Sequence, residues 1–216
     1  LEAPHDHLGQ VIGPYLPQEK KLYEMMKKSY DILVDHPINI EREKKGLNPA
    51  NSLWFWGAGT RPALTSFEKK TGKRGVMISA VDLLKGIAVG ASMKNITVAG
   101  ANGGLHTNYQ GKGQAAVKAL VEEDYDFAYI HIEAPDEMGH QGSREHKIQA
   151  IEAIDHFVVQ TVVKGLEAAN EDYRLLILPD HPTPIRLRTH TGDPVPFMLY
   201  DSRAPRQECW QYNERE

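Results

Sequence analysis

The stretch Phe127-Ala128-Tyr129-Ile130-His131-Ile132-Glu133-Ala134-Pro135-Asp136-Glu137-Met138-Gly139-His140 carries a strand straight into residues that ligate metals. Its first six residues form an apolar run, the pattern of a strand in a parallel sheet covered on both faces. In open α/β sheets ligands bind beyond the carboxyl ends of strands, which is where Asp136 and His140 fall. A second strand, Leu175-Leu176-Ile177-Leu178, leads in the same way into Pro179-Asp180-His181-Pro182. His190 follows in a Thr189-His190-Thr191-Gly192 turn, so five ligand-type residues are expected on one rim.

Outward from these two places the chain alternates. Gly75–Ser79 and Asn95–Val98 read as strands, and 81–93 and 110–123 as helices. Ser143 to Ala169 reads as one long helix with Ile148, Ile151, Ile154, Phe157, Val158 and Val162 on one side, and 195–200 as a last strand. Alternation of this kind predicts an α/β sandwich with a mostly parallel sheet. Upstream, Leu22, Met25, Met26, Tyr30 and Leu33 recur at three- and four-residue steps, which predicts an amphipathic helix from Gln18 to Leu33. Pro37 opposes its continuation. A loop containing Gly46, Pro49, Trp54-Phe55-Trp56, Gly57, Gly59 and Pro62 is expected next, and residues 1–17, with Pro4, Gly9, Gly13, Pro14 and Pro17, read as a connector.

The 216 residues carry 41% hydrophobic and 25% charged side chains, an ordinary globular mix that can bury a core. A net charge of −4 with scattered Lys and Arg argues against nucleic acid as partner. No run approaches the ~18 apolar residues of a membrane span, so no membrane partner is expected. One cysteine, Cys209, permits no internal disulfide, suits a reducing, cytoplasmic setting, and leaves any metal to His and carboxylate. The chain starts at Leu1 without a signal-peptide pattern and stops at Glu216 without a terminating feature, and it reads as a fragment. Association into an oligomer is left open.

Neutral imidazole with carboxylate suits Zn²⁺ or Mn²⁺, whereas Mg²⁺ and Ca²⁺ prefer oxygen shells. Asp180 and His181 are adjacent and hard to place on one ion with good geometry, but they can serve one ion directly while bordering a second one nearby. Two ions ~3.5–4 Å apart can steady both the attacking and the leaving oxygen of a phosphoryl group. Each element has a plainer reading alone: Asp and His four apart are common on helices, and Asp-His-Pro is also a turn. His5-Asp6-His7 has ligand spacing but sits in the connector. His131 reads as a hydrogen-bonded core residue, His146 and His156 as surface residues, and Trp54 and Trp56 as the closure of a hydrophobic loop.

Taken together, Asp136-Glu137-Met138-Gly139-His140, Leu178-Pro179-Asp180-His181-Pro182-Thr183-Pro184 and Arg188-Thr189-His190-Thr191-Gly192-Asp193-Pro194-Val195-Pro196 resemble the archaeal-type cofactor-independent phosphoglycerate mutases of the alkaline phosphatase superfamily. Asn51–Gly59, Ile78–Leu83, Thr107-Asn108-Tyr109 and His131–Pro135 add to the resemblance, which covers nearly the whole chain. It implies a three-layer αβα sandwich without its N-terminal part, with 1–17 as the tail of an inserted domain or a connector and 18–216 as the C-terminal part of the metal-binding domain. Asp136, His140 and His190 would hold one divalent ion and Asp180 and His181 the other, as Mn or Zn, with Mg and Co as further options. Lys112, Arg186 and Arg188 are candidate cations for a phosphorylated small-molecule acid, and Glu133 and Glu137 could orient imidazoles. The resemblance also implies interconversion of 3- and 2-phosphoglycerate through a phosphoserine, a glycolytic and gluconeogenic step. The family's nucleophilic Ser and a further Asp come from its N-terminal half, and neither has a counterpart here. Related chemistries sharing the metal motifs, such as phosphopentomutase, phosphomonoesterase or phosphonate hydrolase, and an inert fragment, are the rival readings. Asn102 replaces the Thr of the family's usual Ala-Thr-Gly and is given no role.

Overall fold

The structure, a computed structural model, describes residues 1–7, 9–205 and 211–214, without the side chains of His5 and Asp6. Cys209 lies outside the described residues. The chain divides into two compact units, Leu1–Pro62 and Ala63–Glu216.

In the first unit, α1 spans Lys20–Leu33 and is capped by Glu19, whose carboxylate accepts from the Leu22 amide at 2.7 Å. Met26 is the buried centre of its apolar side, while Met25 and Tyr30, expected there too, are largely exposed. Pro37 does more than stop α1. It opens a second helix, α2 (Pro37–Lys44), at the first turn, where a missing N–H costs nothing. The expected loop after Pro37 therefore starts later, since α2 is too short to show a period. Asn39 closes this unit: its amide donates to the carbonyls of Leu33 and Ala50, both at 2.8 Å, and accepts from the Ala50 amide at 2.9 Å.

The second unit opens with the short helix α3 (Phe67–Thr71), in a stretch for which the sequence alone predicts no element. Three parallel strands follow, β1 (Gly75–Ile78), β2 (Lys94–Asn95) and β3 (Phe127–Ile130), in the order β2-β1-β3. Helix α4 (Asp82–Gly90) joins β1 to β2, and α5 (Tyr109–Glu122) carries the chain back across β1 to β3. These crossovers run in opposite directions along the sheet, and right-handed connections therefore put α4 and α5 on opposite faces. That gives three layers. Val76 and Ile78 point to the α5 side and pack with Ala116 and Ala119 of α5 and with Val162 and Leu166.

The last two belong to a rod that runs from α7 (Arg144–Ala153) through a wide π turn (Ile154–Val159) into α8 (Gln160–Ala168). The expected helix over 143–169 is thus nearly continuous, but its register slips at the π turn, and Ile148, Ile151 and Phe157 of the expected buried side are exposed. Gly113 lets α5 close on the rod, because a Cβ there would lie 3.1–3.2 Å from Thr161 and the Val158 carbonyl. Strands β4 (Arg174–Ile177) and β5 (Met198–Asp201) form a separate antiparallel pair, β4 one residue upstream of the expected 175–178 and β5 shorter than the expected 195–200, joined by residues 178–197, which contain no helix or strand. The apolar run of β3 misled in one respect. Phe127 and Tyr129 are 38% and 40% exposed, so the face they share with Met77 is not covered along β3 as the run suggested.

Candidate metal centre

Helix α6 (Ala134–His140) starts just past β3. Pro135 in its first turn presets the backbone, and Asp136 and Glu137 meet the positive end of the helix. Asp136 and His140, four residues apart, consequently share one face. The second set of ligand types comes from the 178–197 connection. A structureless segment of that length inside a compact unit is commonly functional.

The connection folds back onto α6. His140 Nε2 lies 3.3 Å from Asp136 Oδ2, His190 Nε2 lies 3.3 Å from Asp136 Oδ1, and the two imidazole nitrogens are 3.1 Å apart. Ligands on a tetrahedral ion with bonds of about 2.0–2.1 Å sit about 3.3–3.4 Å from one another. The two imidazole nitrogens come near the spacing of two corners of such a shell, each facing a different oxygen of Asp136, and one ligand atom from each of the three residues lies within 4.8 Å of the others. Among the described residues this is the one group of three able to hold a metal in this way.

The protonation of His140 follows from its neighbour. Its Nδ1 is 2.9 Å from the Arg188 carbonyl oxygen, which can only accept, so Nδ1 carries the hydrogen. In the neutral ring Nε2 then presents its lone pair to the cluster, as a metal-ligating imidazole requires. Arg188 supplies this carbonyl from a left-handed conformation, φ +56°, and its guanidinium lies over Gly142, itself at φ +71°. A Cβ on Gly142 would sit 2.5 Å from Arg188 Nε.

His181 joins through its ring, whose centroid is 3.8 Å from that of His190. Its Nε2 is 3.5 Å from Asp180 Oδ2, and Asp180 Oδ1 accepts from the His181 amide at 2.9 Å. His181 Nδ1 is 4.0 Å from Asp136 Oδ1. All five expected ligand residues thus occupy one rim, with Asp180 more exposed than Asp136, His140, His181 or His190.

The three expected cations stand differently. Arg186 and Arg188 are exposed on the turn 185–188, whereas Lys112 is 1% exposed and donates to the His131 carbonyl at 3.2 Å. Burial holds the Lys112 ammonium below its usual pKa, and Glu133 works against that shift. The Glu133 carboxyl is raised by burial and by the neighbouring Glu137 and Asp136. Glu133 packs on Gly103, where any Cβ would overlap its Oε2. His131 faces Ser79 Oγ at 3.3 Å, and burial lowers its pKa. His146 and His156 are exposed, and His7 stacks on Tyr15 at 3.6 Å.

Three contributors escaped the sequence reading. The Arg188 carbonyl orients His140, the role considered for Glu133 and Glu137. Thr183 donates its hydroxyl to Asp136 Oδ1, and Lys147 Nζ donates to the Thr183 carbonyl at 2.7 Å. Thr183 lies inside the Asp180-His181-Pro182-Thr183-Pro184 stretch, whose ligand residues point to it. The other two carry no sequence signal, because one acts through its backbone and the other from a distant helix.

A fold and site of this kind define a class. The chain belongs to the metalloenzyme superfamily, whose family model matches residues 18–215. Over 205 residues it is 47% identical to the 2,3-bisphosphoglycerate-independent phosphoglycerate mutase of Methanosarcina mazei, covering 94% of this chain and 51% of that protein. A probable enzyme of the same name from Geobacter sulfurreducens is 48% identical over 204 residues, 93% of this chain and 50% of its own length. The solved PH0037 protein of Pyrococcus horikoshii superposes with a TM-score of 0.66 at 32% identity, over 85% of this chain and 48% of that one. The chain thus spans about half the length of the curated relatives it matches. No helix among the described residues is long and apolar enough to cross a membrane.

Proposed function

We propose that this chain is the metal-binding half of a cofactor-independent phosphoglycerate mutase. The observation that carries the reading is the trio Asp136, His140 and His190 at 3.1–3.3 Å, on a chain 47% identical to a mutase of that name. In this reading Asp136, His140 and His190 hold one divalent ion and Asp180 and His181 a second, as Mn or Zn, with Mg or Co as substitutes. When bound, such ions supply charge neutralisation on phosphoryl oxygens and a lowered pKa for an attacking hydroxyl.

The chain's own residues prepare that chemistry. The Arg188 carbonyl keeps His140 in the tautomer that frees Nε2. Arg186 and Arg188, on the turn between the ligand stretches, offer paired donors to the phosphate or carboxylate of 3-phosphoglycerate. Lys112 adds a cation beneath the rim once the substrate anion compensates its burial. The serine that accepts the phosphoryl group, and a further Asp, are expected from polypeptide outside these residues. The setting is a cytoplasmic one, in glycolysis or gluconeogenesis.

The test is an assay of the protein as encoded, loaded with Mn²⁺, following 2-phosphoglycerate and free phosphate together. Mutase activity should exceed phosphate release and fall at least about a hundredfold in Asp136→Ala and His181→Ala. Full activity in both variants would remove the site assignment. Phosphate released faster than 2-phosphoglycerate would indicate a phosphatase.

A further inference from the structure

We infer that Thr183 is a positioning residue that sets the affinity of the metal centre by tying its two ligand stretches together. The inference rests on the metal reading above. Beyond Leu166, Thr183 is the one buried residue among those described, 3% exposed in a connection that is otherwise open or half-open. A polar side chain is buried where it has a partner. Here the hydroxyl hydrogen goes to Asp136 Oδ1, and the same oxygen lies 3.4 Å from His181 Nδ1. One hydroxyl thereby touches a residue of each proposed ligand set. If it also accepts from His181 Nδ1–H, His181 Nε2 keeps its lone pair on the side of Asp180, 3.5 Å away.

The backbone of Thr183 is held just as firmly. Its carbonyl takes the Lys147 ammonium at 2.7 Å and lies against Gly139, where a Cβ would be 2.6 Å away. One residue earlier, the Pro182 carbonyl accepts from the Thr191 amide at 3.1 Å, which fastens the His190 segment to the same turn. Thr183 is thus the junction between α6, the His181 turn and the His190 turn. Groups that hold metal ligands in this way typically change metal affinity by about 10–100-fold when removed.

Calorimetric titration of Mn²⁺ into the protein as encoded, beside melting curves without metal, tests this. Thr183→Val keeps the branched shape and loses the hydroxyl, and should weaken Mn²⁺ binding about 10–100-fold while melting close to wild type without metal. Thr183→Ser restores the hydroxyl and should bind within about threefold of wild type. Should the valine variant melt early, Thr183→Ala, which also lacks the hydroxyl, takes its place. Wild-type affinity in the hydroxyl-free variants, or equal weakening in the serine variant, overturns the inference while leaving the metal reading intact. Unchanged binding in Asp136→Ala defeats the metal reading and the inference with it.

Discussion

Replacing Gly139 by alanine sets helix propensity against the seating of the ligand turn, and the structure says which should win. Gly139 lies in α6 between Asp136 and His140, and an added Cβ would meet the Thr183 carbonyl oxygen at 2.6 Å, Thr183 Cγ2 at 2.9 Å and Lys147 Nζ at 3.1 Å. Lysine can swing aside; the Thr183 carbonyl cannot do so cheaply, because its backbone is tied by the Thr183 hydroxyl to Asp136 and by the Pro182 carbonyl to the Thr191 amide. Carbon–oxygen contacts reach down to about 3.3 Å, so the turn must retreat by about 0.7 Å. Metal sites tolerate departures of about 0.2 Å in ligand distance. Overpacking of this type costs about 1–3 kcal/mol, against a gain of at most about 1 kcal/mol from glycine to alanine in a helix. Gly86 is the internal control, a glycine in α4 where an added Cβ would meet nothing within 4 Å. Gly86→Ala should therefore raise the melting temperature by about 2–4 °C, whereas Gly139→Ala should lower it and weaken Mn²⁺ binding at least about tenfold. Circular-dichroism melts and Mn²⁺ calorimetry on the two variants decide the matter. If Gly139→Ala matched Gly86→Ala in stability and wild type in Mn²⁺ affinity, the claim that α6 and the Thr183 turn are packed to contact would be refuted.

Other expectations follow from single features. Arg188→Gly removes a non-glycine residue from positive φ, a conformation that costs about 1 kcal/mol or more, and keeps the carbonyl on His140. Mn²⁺ affinity should stay within about threefold while, on the proposed mutase reading, KM for 3-phosphoglycerate rises, and a large loss of Mn²⁺ binding would contradict the backbone role of Arg188. Asp201 is held well below the usual carboxylate range by Arg203 and Arg174, which donate to it at 3.2 and 2.7 Å. A depressed carboxyl stabilises the fold above its unfolded pKa of about 4 and loses that contribution as pH falls toward the folded value. Asp201→Asn should flatten this part of the acid melting profile; an unchanged profile would show that the pairing has no energetic weight. Ile78→Ala empties a position that is 1% exposed, in contact with the α5 and α8 cluster, and should cost about 2–5 kcal/mol in urea unfolding.

Helices and strands with strong periodic or apolar runs were readable in the chain itself. The expected 110–123 helix and 127–132 strand appear as Tyr109–Glu122 and Phe127–Ile130, within a residue or two of where their patterns put them. Shorter pieces were not: α2 and α3 are too brief for periodicity to register. The π turn at 154–159 was hidden because the same apolar residues suit a continuous α-helix. The apolar run of β3 does not come with cover on both faces, since side-chain chemistry reports what a face could bury and not whether a neighbour covers it.

The candidate centre divides along the same line. Ligand chemistry is a local property, so Asp136 and His140 at helical spacing, Asp180-His181 after a strand and His190 in a turn could be picked out from residue types alone. Distances between them could not, because they depend on how residues 178–197 fold back onto α6. Only the tertiary structure set His140 Nε2 and His190 Nε2 3.1 Å apart and aimed the Arg188 carbonyl at His140 Nδ1. A carbonyl's direction is decided by backbone angles, and a hydroxyl's partner by packing across the chain. Neither is written in the identity of the residue that carries it.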